Sequence, residues 1–276
     1  MEDVLDKILK RLYENRGIDF SDYKPCCLKK RLSARMEMLR IKDPVQYFEY
    51  LCQDPSESDH LLNIFAVRVS SFFRNPVVFE LIAQKVLPKI IAGKKNSGAG
   101  QIRVWSAGCA SGEEAYSIAI LIYEALIHEN MDEWYPLIFG TDISEESLAM
   151  AEKGIYKRDA LENTKIGIFD RYFSSDGNGR YRISPFIKNM VRFSQDDLAS
   201  KERFAPADSV FGSFDLILCR NVLIYFSSKL QKRVIDKLYK ALDDKGFLVI
   251  GDSESLFTLT EEKLTELDSR NRIFQK

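Results

Sequence analysis

The segment Ile102 to Tyr116 reads Ile-Arg-Val-Trp-Ser-Ala-Gly-Cys-Ala-Ser-Gly-Glu-Glu-Ala-Tyr, an apolar stretch that runs into small residues and then into two acids. Glycine lacks a Cβ and tolerates positive φ, so a glycine turn behind a strand lets the backbone come close to a ligand. A pyrophosphate at such a turn needs the bare positive end of the following helix. Glu113 and Glu114 would repel it and suit a cation instead. S-adenosylmethionine, which carries an ammonium and a sulfonium, fits this turn better than a dinucleotide does. Thr141-Asp142-Ile143-Ser144 places a third acid where another apolar stretch ends. A carboxylate there accepts hydrogen bonds from ribose hydroxyls, and Ser144 supplies the helix cap that Asp142 would otherwise provide. A further apolar run, Leu216 to Cys219, ends in Arg220 and Asn221, polar groups that face the same crevice.

The elements that must hold these residues are legible from periodicity. Val4, Leu5, Ile8, Leu9 and Leu12 recur at helical spacing, as do Leu28, Leu32, Met36 and Leu39. Asp43-Pro44 opens a third helix that Asp54-Pro55 ends, and a fourth runs from Ser56 towards Val67. Ser70 to Pro76 interrupts this pattern before an apolar helix from Val77 to Ile91, and Gly93 to Gly100 reads as a flexible boundary. From residue 101 strands (102–107, 137–142, 214–219, 246–251 and near 270–275) alternate with helices (112–128, 144–152 and 227–242). That alternation gives an α/β domain with a parallel sheet covered on both faces. Arg171 to Ser175 and Gly179 to Ser184 flank Asp176-Gly177-Asn178, and Ile187 to Phe193 follows; together they read as a small antiparallel hairpin inserted at about 155–195. The expected organisation is a helical domain over 1–75, a connecting helix and linker over 76–100, and an α/β domain over 101–276.

Composition narrows the chemistry. The chain has 276 residues, 45% of them hydrophobic and 12% aromatic, enough for a substantial core. No apolar run approaches the roughly 20 residues that cross a bilayer, and the start, Met1-Glu2-Asp3-Val4, does not resemble a secretory signal. The cytoplasm is the expected location. Five cysteines, Cys26, Cys27, Cys52, Cys109 and Cys219, have no metal-site spacing and are expected as thiols. The two histidines, His60 and His128, fall in no hydrolase or zinc pattern. The reaction should need little proton transfer and no metal. Charge is nearly balanced, at 40 basic against 41 acidic residues, which argues against nucleic acid. Yet residues 28 to 42 hold six basic residues and one acid, and Arg31 and Arg35 stand on one helical face.

Four ordered motifs, Ser-x-Phe-Phe-Arg at 70–74, Trp-Ser-Ala-Gly-Cys-x-Ser-Gly-Glu-Glu at 105–114, Thr-Asp-Ile at 141–143 and Cys-Arg-Asn-Val-x-Ile-Tyr-Phe at 219–226, resemble the chemotaxis receptor methyltransferase (CheR) family. The resemblance runs nearly end to end. It implies a class I methyltransferase-like doubly wound sheet with a small antiparallel β insertion, preceded by an all-helical domain. It implies methyl transfer from S-adenosylmethionine to glutamate side chains on chemoreceptor cytoplasmic helices, giving glutamyl methyl esters and S-adenosylhomocysteine. By the same resemblance Ser70 and Arg74 reach the cofactor, Glu113 or Glu114 meets its ammonium, and Asp142 its ribose. Asp197 and Leu198 border the adenine, with Asn221 and Val222 beside it, while Arg74 and Tyr225 stand at the reaction centre. The basic helix with Arg31 and Arg35, and the β insertion, are expected receptor contacts of a monomer that does not insert into a membrane. Four positions depart from the family pattern: Arg68 for Asn, Ser70 for Thr, Ala115 for Pro and Asp197 for Asn. Arg68 adds a charge near a cationic cofactor. The alternatives are a non-catalytic S-adenosylmethionine-binding sensor or scaffold, and a methyltransferase for another substrate. Amino-group methylation of bases uses an Asn/Asp-Pro-Pro-Tyr/Phe loop where this chain has Cys219-Arg220-Asn221-Val222.

Overall fold

The computed structural model describes residues 2–66, 69–98, 100–131, 133–200, 205–206, 209, 213–254 and 264–276. Arg68, the departure noted above, lies outside the described residues. Four helices come first: α1 (Glu2–Arg16), α2 (Pro25–Met38), α3 (Pro44–Gln53) and α4 (Glu57–Phe65). Proline opens α2 and α3, where its missing N–H costs nothing, and Asp43 caps α3 through Val45 N at 3.0 Å. The helical-spacing positions form one apolar core: Leu5, Ile8 and Leu12 against Leu28, Leu32 and Met36.

Next come α5 (Pro76–Leu81), a π-helical turn over Ile82–Val86, and α6 (Leu87–Ser97). The expected Val77 to Ile91 helix is widened in the middle because Pro88 lacks an N–H and crowds the carbonyl four residues back. Two expectations are corrected here. Gly93 to Ser97 is helical and not a flexible boundary, because Lys94 pairs with Asp215 at 2.7 Å and Lys95 with Glu129 at 2.8 Å. Gly98, at φ 70°, ends the helix. Nor is 76–97 a tether between domains, since Phe79, Ile82, Val86 and Ile90 share the sheet core with Ile102 and Val104.

The remaining elements are β1 (Gln101–Ala107), α7 (Glu113–His128), β2 (Tyr135–Asp142), α8 (Glu145–Lys153), β3 (Ile155–Lys157), α9 (Ile166–Tyr172), β4 (Phe173–Ser175), β5 (Arg180–Ile183), α10 (Pro185–Lys188), β6 (Val191–Gln195), β7 (Phe214–Cys219), α11 (Ser228–Ala241), β8 (Leu242–Ile250), β9 (Thr265–Asp268) and β10 (Ile273–Gln275). A seven-stranded sheet has the order β6-β2-β1-β7-β8-β10-β9. Its first five strands are parallel; β10 runs antiparallel between β8 and β9. Alternation puts Leu216 and Leu218 in the core under α7 and Ile217 and Cys219 in the core under α11. This is the doubly wound class I methyltransferase-like sheet behind an all-helical domain.

The small antiparallel sheet is present, with order β3-β5-β4, but its boundary differs from expectation. Ile187 to Phe193 is not part of it. Pro185 starts the short α10, and β6 then pairs in parallel with β2, from Val191 opposite Ile138 to Gln195 opposite Asp142. The insertion therefore ends before Val191, and β3 supplies a third strand that alternation alone had not revealed.

Candidate active site

The order of strands reverses on either side of β1, and ligands in such sheets bind beyond the carboxyl ends of the strands at that point. There β1 leaves the sheet through Gly108 at φ 77°, Ala110 at φ 49° and Gly112 at φ 88°. The N–H groups of Gly108 and Cys109 donate to the Thr141 carbonyl at 2.8 and 2.9 Å, and Ala110 N donates to Asp142 Oδ2 at 2.9 Å. A Cβ on Gly108 would lie 2.4 Å from Val222 Cγ2. Glycine is thus required where the β1 and β7 exits approach. Asn221, at φ 60°, makes the corresponding reversal behind β7. Phe73 at φ 51° and Asn75 at φ 59° flank Arg74. Non-glycine residues in this region cost about 1–3 kcal/mol each and persist where surrounding structure imposes them.

These turns enclose a cavity whose wall includes Ser70, Arg74, Glu114, Asp142, Asp197 and Leu198, with Asn221, Val222 and Tyr225 on the remaining side. All but one of the residues expected at the site are brought together. The exception is Glu113, which does not line the cavity. Neighbouring helix positions point about 100° apart, so only one of two consecutive acids can face it, and the docking of α7 selects Glu114. Glu113 is 5% exposed and hydrogen-bonds Ser70, while its Oε2 has no partner among the described residues. Burial pushes its carboxyl up to about 7, against the opposing pull of a backbone hydrogen bond and of Ser70.

Each acid on the wall is anchored. Glu114 accepts from Ser106 Oγ at 2.8 Å through Oε1 and pairs with Arg220 at 3.3 Å through Oε2. Asp142 Oδ1 accepts from Ser144 N at 2.9 Å, and Ser144 Oγ caps α8 through Ser147 N at 3.2 Å. Asp197 follows β6, accepts from Ala199 N at 2.8 Å and has its carboxyl raised by burial. Its neighbour Asp196 pairs with the buried Lys237 of α11 at 3.4 Å.

The helical domain forms the facing wall with Phe20, Tyr23, Phe65 and Val69. Phe20 packs on Tyr23 and Phe65, with ring centres 4.7 and 5.3 Å apart. Tyr23 meets Phe226 at 4.9 Å, and Lys24 N donates to the Tyr225 carbonyl at 2.8 Å. Asp22 joins the same seam by pairing with Arg233 of α11 at 3.2 Å. Arg74 Nη1 bonds the Val69 carbonyl at 2.8 Å at the cavity rim.

On α2 the two arginines expected at a receptor contact, Arg31 and Arg35, are engaged within the protein. Arg35 forms a two-pronged pair with Glu57, at 2.9 and 2.5 Å, and Glu57 is fully buried. Arg31 donates to the Phe65 carbonyl and lies 4.5 Å above the Tyr225 ring. Arg35 serves as the counter-charge that a buried carboxylate needs, and Arg31 is taken up by a carbonyl and an aromatic face. The two histidines are exposed and the five cysteines are free thiols, as expected. Among the described residues no helix is long and apolar enough to cross a membrane, and no group of metal-ligating side chains occurs.

Sequence reasoning missed Glu254 and Ser106. Glu254, 4% exposed, accepts from Gly251 N at 2.6 Å, Asn221 N at 3.2 Å and Ile224 N at 3.3 Å. It fixes the turn that carries Asn221 and Tyr225, and burial raises its carboxyl against the pull of those N–H groups. Its one sequence signal is an acid just beyond the carboxyl end of an apolar strand, as with Asp142.

A family model for the CheR methyltransferase SAM binding domain matches residues 68–273, and one for the CheR methyltransferase all-alpha domain matches residues 3–65. A chemotaxis protein methyltransferase of Borreliella burgdorferi is 32% identical over 257 residues, covering 92% of this chain and 89% of that one. Chemotaxis protein methyltransferase 2 of Pseudomonas aeruginosa is 30% identical over 252 residues, covering 90% of this chain and 85% of that one. A 104.1 kDa protein of Rhodobacter capsulatus is 32% identical over 274 residues, and this chain spans 27% of its length. Among solved structures, magnesium protoporphyrin IX methyltransferase of Synechocystis with bound SAM aligns at a TM-score of 0.35 and 18% identity, over 72% of this chain and 79% of that one. So loose a likeness adds no weight. The family matches span both domains and contain the cavity's wall, and the chain therefore belongs to the CheR methyltransferase family, an S-adenosylmethionine-dependent methyltransferase.

Proposed function

We propose that the cavity holds S-adenosylmethionine and that the acceptor is a glutamate carboxylate on a chemoreceptor cytoplasmic helix. One observation carries this reading: Glu114, in the first turn of α7 behind β1, and Asp142, at the end of β2, line the same cavity, with Arg74 and Tyr225 on the remaining wall. The cavity fits the cofactor, since its wall is acidic where a cation belongs and its turn is stripped of side chains where backbone must approach. Glu114 meets the ammonium, Asp142 the ribose hydroxyls, and Asp197, Leu198, Asn221 and Val222 the adenine. Ser70 lies beside it, and Glu113 supports Ser70 from behind.

The cofactor supplies an electrophilic methyl on a sulfonium. A glutamate side chain has an ordinary pKa of about 4.3 and is already the anionic nucleophile at neutral pH. No general base is needed, in keeping with two histidines that are both exposed and line no part of the cavity. A carboxylate oxygen forms the new C–O bond as the C–S bond breaks, and the electron pair stays on sulfur. Arg74 holds the acceptor carboxylate through its guanidinium and Tyr225 its second oxygen. Positioning of this kind is worth about 7–11 kcal/mol. Binding the acceptor too tightly would stabilise the ground state and slow transfer, so Arg74, already tied to Val69, serves to place the carboxylate.

The enzyme acts as a cytoplasmic monomer, and the small sheet takes an added strand from a receptor tail at an outer strand, β3 or β4. The names of the relatives, chemotaxis protein methyltransferases, support a receptor as acceptor. Tritiated S-adenosylmethionine and chemoreceptor cytoplasmic fragments test the reading. Label released by mild base supports it; base-stable label points to another acceptor, and cofactor binding without transfer to a non-catalytic role.

A further inference from the structure

We infer that Arg220 is a positioning residue that couples the cofactor side of the cavity to its acceptor side. The inference rests on the cofactor reading above. Arg220 follows β7, and its side chain is 1% exposed. One arm of the guanidinium, Nη1, pairs with Glu114 Oε2 at 3.3 Å; the other, Nη2, donates to the Arg74 carbonyl at 3.1 Å. The plane lies 5.5 Å from the Phe79 ring centre. Its Nε has no partner among the described residues.

This placement is costly, because burying a guanidinium is repaid only by good pairing, and here one donor is left over. Stability alone is a poor reason for it. The two groups it joins are distant in sequence: Glu114 opens α7, and Arg74 sits in the loop before α5. With Ser106 on Oε1 and Arg220 on Oε2, the Glu114 carboxylate is held at both oxygens and cannot rotate away from the cavity. The Arg74 carbonyl lies between two residues of positive φ, Phe73 and Asn75. Anchoring that carbonyl fixes the reversal from which the Arg74 side chain reaches the rim. A planar fork can make both contacts at once, whereas an ammonium on a flexible stem makes one well.

Two substitutions separate these roles. Arg220→Lys keeps a cation beside Glu114 but loses the fork. It should bind S-adenosylhomocysteine within about threefold of wild type and hold KM for the cofactor, while kcat falls at least tenfold on a chemoreceptor fragment that accepts label. Arg220→Met should lose at least thirtyfold in S-adenosylhomocysteine affinity by calorimetry as well as in kcat. A purely structural role would lower the melting temperature in both variants without parting kcat from KM. Equal losses of affinity and kcat in Arg220→Lys, or wild-type behaviour of Arg220→Met, would overturn the inference. Should Arg220→Met fail to fold, Arg220→Lys decides alone, with unchanged kcat as the contrary result. If the wild-type protein does not bind S-adenosylhomocysteine, the cofactor reading itself fails, and this inference with it.

Discussion

The two walls of the cavity are built on opposite principles. On the sheet side the backbone is strained, glycine is obligatory at position 108, and Glu114 and Asp142 are clamped by side chain or backbone donors. On the helical side Phe20 packs against the rings of Tyr23 and Phe65, and charge is directed away from the cavity into buried pairs such as Arg35 with Glu57. One wall spends stability on fixed polar geometry, and the other covers it with ordinary apolar packing. Damage to the helical wall should therefore appear as lost stability, and damage to the sheet wall as lost ligand affinity.

The sharpest break is expected at Arg35. Arg35→Met strands a fully buried Glu57, whose carboxylate then keeps, among the described residues, the Tyr47 hydroxyl as its side-chain partner. Removing one partner of such a pair costs about 3–5 kcal/mol, readable by urea denaturation. Affinity for S-adenosylhomocysteine, measured on the folded fraction, should move less than tenfold.

Glu113 behind the sheet wall gives a pH test. Its folded carboxyl is raised from the ordinary 4.5 to about 7 by burial, so the native state binds more protons than the unfolded chain between those values. The contribution of Glu113 to stability must then fall as pH rises from 4.5 to 7. At 1.36 kcal/mol per unit the full effect is about 3 kcal/mol. Glu113→Gln should remove that slope: more stable than wild type by about this amount at pH 8, and equal to it below pH 4.5. Parallel stability curves would refute the burial argument.

Gly108→Ala is predicted to act mainly on ligand binding. The new Cβ meets Val222 and φ is 77°, a combined strain of about 1–3 kcal/mol, so calorimetry should show roughly tenfold or greater weakening. Adding Val222→Ala relieves the clash but not the dihedral and should restore only part. The smallest effect belongs to Arg31. Arg31→Met removes the stacking on Tyr225, worth about 1 kcal/mol. It should cost stability without altering the salt dependence of methylation; a flattened salt dependence would return Arg31 to the surface role that its sequence context implies.

What the sequence disclosed and what it hid divide along the same line. Local pattern was enough for the glycine turn, for Asp142 at the end of β2 and for the apolar stripes of α1 and α2, because each depends on near neighbours in the chain. It could not choose between Glu113 and Glu114, since the choice rests on how α7 docks. It marked Arg31 and Arg35 as a surface because their partners, Phe65 and Glu57, lie 34 and 22 residues away. Gly93 to Ser97 looked breakable for the same reason: Asp215 and Glu129, which hold Lys94 and Lys95, are remote in sequence. The insertion's edge was misjudged because only pairing with β2 shows that β6 belongs to the large sheet.

The most direct test of the account is a crystal structure with S-adenosylhomocysteine soaked in. It should place the amino group against Glu114 and the ribose hydroxyls against Asp142, with the adenine between Leu198 and Val222. Density for the ligand outside this cavity, or a bound molecule that leaves both acids untouched, would contradict the reading.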